Sequence, residues 1–143
     1  MLRLFLLLGS LVSGVLHAEI IITDATVRLL PPGVPNTAAY FSLQNPSDTK
    51  QTLIGVSADF ATKAEIHNHI LVDGMMSMQQ QSEVVIQPGE SIQFSPGGLH
   101  IMLFGLKQPL SEGQSVVFSL QTSDGESISV TANVAKPSVH KHH

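Results

Sequence analysis

From residue 19 onward, apolar residues recur in short alternating runs, and each run is cut off by turn-forming residues before a helical stripe can develop. The run at 20–30 is rich in β-branched residues and stops at Pro31-Pro32-Gly33, and the run at 38–43 stops at Gln44-Asn45-Pro46. Runs at 51–57 and 63–72 follow, the second ending at Asp73-Gly74. Those at 75–80 and 83–87 precede Pro88-Gly89, and the run at 91–94 ends at Pro96-Gly97-Gly98. Runs at 99–104, 115–121 and 127–134 complete the set. Many short strands separated by turn signals predict an all-β fold, a Greek-key sandwich or barrel. No internal repeat and no second domain are visible. Asp73-Gly74 between two β runs predicts a tight hairpin turn that lays the strand of His67 beside the strand of Met78.

The segment before residue 19 has a different pattern. Met1-Leu2-Arg3 gives a positively charged start, 4–16 is almost wholly apolar, and His17-Ala18 precedes the polar Glu19. This predicts an export signal over 1–18, cleaved after Ala18, although Leu16 is bulkier than the residue preferred three positions before a cleavage site. The apolar run is short for a membrane span. The expected organisation is therefore a signal at 1–18, one β-domain at 19–135 and a His-containing flexible tail at 136–143.

Composition narrows the function. The chain has 143 residues, enough for one domain with a real core, and it contains no cysteine. Disulfides, thiol redox chemistry, a lipobox anchor and thiolate-ligated blue copper are therefore not expected. A net charge of -4 with only 13% charged residues argues against nucleic acid or anionic membrane surfaces as partners.

The candidate chemistry lies in histidine and methionine. His67, Met78, His100 and Met102 form two His/Met pairs far apart in the chain. Thioether sulfur is soft and uncharged, a poor ligand for zinc, calcium or magnesium and a good one for monovalent copper. Residues two apart on a strand share a face, with Cα atoms about 6–7 Å apart. His100 and Met102 can therefore converge on one ion, with Ile101 and Leu103 packing behind. Met76 with Met78, and His67 with His69, share faces by the same rule. A single Met or His in such a protein is usually core filler or a hydrogen-bonded surface group. The combination is what counts: Met75, Met76 and Met78 sit in a polar segment with Ser77, Gln79, Gln80 and Gln81, which predicts exposed thioethers.

The spacing His67-x10-Met78-x21-His100-x-Met102 resembles the signature of the PCuAC periplasmic copper chaperones. Ala25-Thr26-Val27-Arg28, Ala38-Ala39-Tyr40-Phe41-Ser42-Leu43-Gln44-Asn45, Glu65-Ile66-His67, Met76-Ser77-Met78 and Pro96-Gly97-Gly98-Leu99-His100-Ile101-Met102-Leu103 resemble that family's segments. The resemblance implies a cupredoxin-like β-sandwich or barrel that binds one Cu(I) through His67, Met78, His100 and Met102. It also implies a carrier, not an enzyme, that delivers copper in the periplasm toward cytochrome c oxidase, with subunit II or a Sco-type protein as the acceptor. Some members have Met directly after the first His; here that position is Asn68. His69 and Met76 are weaker candidates for substitution during transfer. His140, His142 and His143 suit Cu(II) as an accessory site, or else belong to a solvated tail or part of a tag. The main alternative is an exported β-sandwich binding or assembly module without metal.

Overall fold

The structure is a computed structural model that describes residues 19–137. The expected signal at 1–18 and most of the His-containing tail lie outside the described residues. Ten strands follow one another: β1 (Ile21–Arg28), β2 (Thr37–Gln44), β3 (Gln51–Ala58), β4 (Ala61–Val72), β5 (Met75–Gln80), β6 (Val84–Ile86), β7 (Ser91–Phe94), β8 (His100–Leu106), β9 (Ser115–Thr122) and β10 (Ser127–Ala135). Each coincides with one of the alternating runs in the sequence, shifted by at most two residues at an end. No helix occurs among the described residues, so none there is long and apolar enough to cross a membrane.

The strands form one sheet in the order β5-β4-β8-β2-β1-β10-β9-β3-β6, with β7 also pairing with β2. β1 runs parallel to β10; the other pairings are antiparallel. β3 and β4 are successive strands on opposite arms of this order, yet they pack together. The sheet therefore curls over on itself and encloses its apolar face, as a twisted sheet of this many strands must do to bury it.

The core lies between the two arms. Phe41 on β2 stacks on Phe94 of β7 with ring centroids 4.4 Å apart and meets Phe118 of β9 at 6.0 Å. Val130, Ala132 and Val134 alternate inward along β10, as do Val116, Phe118 and Leu120 along β9. Burying each large side chain contributes about 1.5–3 kcal/mol. The most deeply buried polar side chain is Asn45, whose Nδ2 donates to the carbonyls of Thr49, Ile86 and Gln87 at 2.8, 3.2 and 3.2 Å.

Two local features set the strands that matter for function. Asp73 and Gly74 have φ of 50° and 78°, the pair of left-handed residues a type I′ hairpin needs. This turn fixes β5 against β4 with His69 opposite Met78. Gly105, at φ 63°, closes the far end of β8 against the start of β4. Thr62 Oγ1 donates to the Gly105 carbonyl at 3.0 Å, and a Cβ on Gly105 would lie 2.6 Å from that oxygen. Only glycine fits there.

Candidate metal centre

The strand register brings the sequence-predicted residues onto one face. In the β4/β8 pair, His67 is opposite His100, Ile66 opposite Ile101 and Glu65 opposite Met102. Directly opposed residues of antiparallel strands point the same way. Ile66 and Ile101 enter the core at 2% and 0% exposure. Their neighbours His67, His100 and Met102 therefore project from the other side, and the β4/β5 register adds His69 and Met78 to that side. Ile101 and Leu103 pack behind the site as expected.

A cleft of about 340 Å³ opens on this face. Its walls include His69, Met78, His100 and Met102, together with Arg28, Leu30, Asn36, Thr37, Ala38, Tyr40, Pro96 and Gly97. Three of the four sequence-predicted ligands thus share one cleft. His67 does not line it. Its ring lies 6.0 Å from that of His100, whereas the His69 ring lies 5.2 Å from it.

Burial grades the donors. His100 is 3% exposed, His67 8% and Met78 47%. His100 Nδ1 donates to the Gly98 carbonyl at 2.8 Å, which leaves Nε2 as the lone-pair nitrogen. Burial lowers the His100 pKa below the ordinary 6.5, and the hydrogen bond to Gly98 opposes that shift only in part. The imidazole therefore stays neutral, the form that binds a metal.

His67 Nε2 lies 2.7 Å from Glu65 Oε2, and Lys63 Nζ lies 3.3 Å from Glu65 Oε1. The hydrogen bond from His67, with Lys63 assisting, holds the Glu65 carboxyl below its usual pKa of 4.5. With Nε2–H directed to the carboxylate, Nδ1 is a buried lone pair with no hydrogen-bond partner. Such an orphan is costly unless something satisfies it. A carboxylate on the far nitrogen is also the arrangement that orients and strengthens a ligating imidazole.

Among the described residues, no three His, Cys, Asp or Glu side chains form a group able to hold a metal ion by themselves. Any ion held here would need the thioethers. Met75, Met76 and Met78 are 74%, 61% and 47% exposed, as the polar context of their segment predicts. Glu65 is legible two positions before His67 by strand periodicity. Arg28 and Tyr40 carry no such signal, since they reach the cleft only through the pairing of β1, β2 and β8.

Residues 20–134 match the model of the family described as LpqE-like, named for a lipoprotein. The chain belongs to this family, the family of the PCuAC proteins. Lxx21020 of Leifsonia xyli subsp. xyli, named as a lipoprotein, is 33% identical over 117 residues, covering 81% of this chain and 67% of that protein. RP573 of Rickettsia prowazekii is 30% identical over 103 residues, and the match spans 57% of its length. Among solved structures, CuI-DR1885 of Deinococcus radiodurans superposes with a TM-score of 0.69 at 32% identity, covering 87% of this chain and 83% of that one. The copper-bound PCuAC domain from PmoF2 gives a TM-score of 0.69 at 19% identity, covering 84% and 95%, and supports the fold alone. The cupredoxin-like fold expected from the PCuAC resemblance is thus the fold observed.

Proposed function

We propose that this PCuAC chain is a copper carrier that binds one Cu(I) through His67, Met78, His100 and Met102 and releases it to an acceptor outside the cytoplasm. The observation that carries this reading is the convergence of Met78, His100 and Met102 on one cleft, with His67 directly across the β4/β8 pair. All four donors are neutral, and two are thioethers, which suit a monovalent soft ion. The copper(I)-bound state of the DR1885 relative supports copper as the cargo. The names of the lipoprotein relatives support export, and the apolar 1–18 segment supports its route.

The graded burial suggests the mode of release. His67 and His100 form the deep side and Met78 the accessible side. An acceptor's donors would displace Met78 first, and the ion would leave by stepwise ligand exchange. The dinuclear copper centre of cytochrome c oxidase subunit II, with or without a Sco-type protein, is the proposed acceptor. Anaerobic Cu(I) titration tests the ligand set. One equivalent in the wild type and none in the Met78→Leu plus Met102→Leu variant is expected; unchanged stoichiometry in the variant refutes it.

A second reading concerns the first imidazole. His69 lines the cleft and lies nearer the His100 ring than His67 does. In this reading His69 holds the ion in the exposed stage of transfer. His67→Ala and His69→Ala, compared for Cu(I) affinity, decide between them. The tail from Lys136 is proposed as an accessory Cu(II) site, to be tested by deleting residues 137–143; unaltered Cu(II) binding would remove it.

A further inference from the structure

Beside the metal cleft lies a larger cavity of about 640 Å³. It is formed where β1, β8 and β10 end, by the connections at 29–36 and 107–110. Its lining is apolar, with Leu29, Leu30, Val34, Leu106 and Leu110 set among the prolines of the two connections. Proline fixes the backbone, so these walls are preformed.

The charges around the cavity are one-sided. The sequence has 7 Lys and Arg against 11 Asp and Glu. Arg3 and Lys141 lie outside the described residues, and of the remaining cations Arg28, Lys107 and Lys136 all line this cavity. No Asp or Glu lines it. Lys136 meets Glu112 at 3.5 Å, but both are largely exposed, and such a pair holds a charge only weakly. An acidic protein has thus placed most of its described cations around one apolar hollow.

The cavity is also continuous with the metal cleft. Arg28, Leu30 and Thr37 belong to both. On the opposite bank, Leu71 and Met76 extend the face of His69 and Met78, and they are 68% and 61% exposed. A molecule that takes an ion from the cleft can rest on either bank; the Arg28 bank gathers three cations, whereas Lys63, on the His69 face of β4, is paired with Glu65.

We propose that this cavity is the docking site for the copper acceptor, and that the acceptor presents an apolar side chain flanked by carboxylates. The apolar side chain fills the hollow between Leu30, Val34 and Leu110. The carboxylates meet Arg28, Lys107 and Lys136. The negative charge elsewhere on the carrier disfavours other approaches, so attraction at this rim both speeds and orients the encounter. The identity of the occupant rests on the copper-carrier reading; the recognition chemistry rests on the cavity.

The test uses the purified ¹⁵N-labelled protein, apo and after anaerobic Cu(I) loading. Three probes are titrated: an acetylated, amidated hexapeptide with Leu-Phe between two Asp-Glu pairs, the same apolar centre flanked by Lys, and decanoate. The acidic peptide is expected to shift the amide signals of Leu30, Val34 and Leu110. Its affinity should fall about tenfold in the Lys107→Glu plus Lys136→Glu variant. It should also fall as salt rises from about 0.01 to 0.15 M, where the Debye length shrinks from roughly 30 to 8 Å. Val34→Ser, which removes the apolar contact and leaves the charges unchanged, should weaken the acidic peptide as well. The Lys-flanked peptide should not bind. Shifts elsewhere, equal binding of both peptides, or unchanged affinity in the charge-reversal variant would overturn the proposal. Decanoate binding in the cavity without the acidic peptide would overturn it too, making the hollow a small-anion site. Cu(I) stoichiometry is read on the same samples, so failure of the carrier reading registers there and not in the peptide shifts.

Discussion

β4 and β8 have two faces that do different work. Ile66 faces Ile101 across the pair, and one residue along the same strands His67 faces His100. The first pair is sealed in the core; the second lies on the other side of the strands, the side proposed to hold the ion. Both pairs are buried, so burial alone does not distinguish them. The difference is chemical. The isoleucines are satisfied by contact with other apolar groups, whereas His67 keeps a buried nitrogen without a partner and His100 keeps one nitrogen free of protein hydrogen bonds. A strand with period two can therefore be cut for packing on one side and for binding on the other, with little cross-talk.

That separation can be broken by substituting one side at a time. The largest effect on function is expected from His100→Ala: Cu(I) binding should be lost, while the thermal midpoint of the apo protein moves far less than for a core truncation. Retained stoichiometric copper would contradict the site. Ile101→Ala should do the reverse. It should cost about 2–5 kcal/mol of folding stability by denaturant titration, while the folded fraction still binds one Cu(I). If Ile101→Ala instead abolishes copper binding in protein that remains folded, the two faces are coupled and the comparison fails.

Glu65→Gln sharpens the picture on the metal side. It keeps the shape of the side chain and removes the charge that orients His67. Copper affinity should drop by about 10–100-fold, the usual penalty for losing such a partner. An affinity equal to wild type would leave Glu65 as a surface ion-pair residue for Lys63 only.

The smallest expected effect is that of pH. The folded-state pKa of His100 is lowered below 6.5, so the unfolded chain binds the proton more readily. Apo stability should therefore be at its full value above pH 6.5 and decline as pH falls from there toward the folded pKa. Glu65 is lowered from 4.5 and adds a further loss below that value. NMR titration of the His100 ring should give a midpoint under 6.5. A midpoint at or above it would mean that the ring is more hydrated than its burial indicates.

Much of this molecule is legible before any coordinates. The alternating runs and their turn residues determine the strands, because period two and the turn chemistry of Asp73-Gly74 are local properties. The exposure of Met75, Met76 and Met78 follows from their polar neighbours for the same reason. The His-x-Met at 100 and 102 must share a face on any strand, and thioether chemistry alone selects a soft ion. Tertiary structure decided what pairing across the sheet controls. It set His67 opposite His100, tied His67 to Glu65, and brought His69 into the cleft beside Met78. It also gathered Arg28, Lys107 and Lys136, distant along the chain, around one apolar hollow next to that cleft. These positions depend on register between strands remote in sequence, and register is settled by the packing of the whole core, which no local pattern encodes.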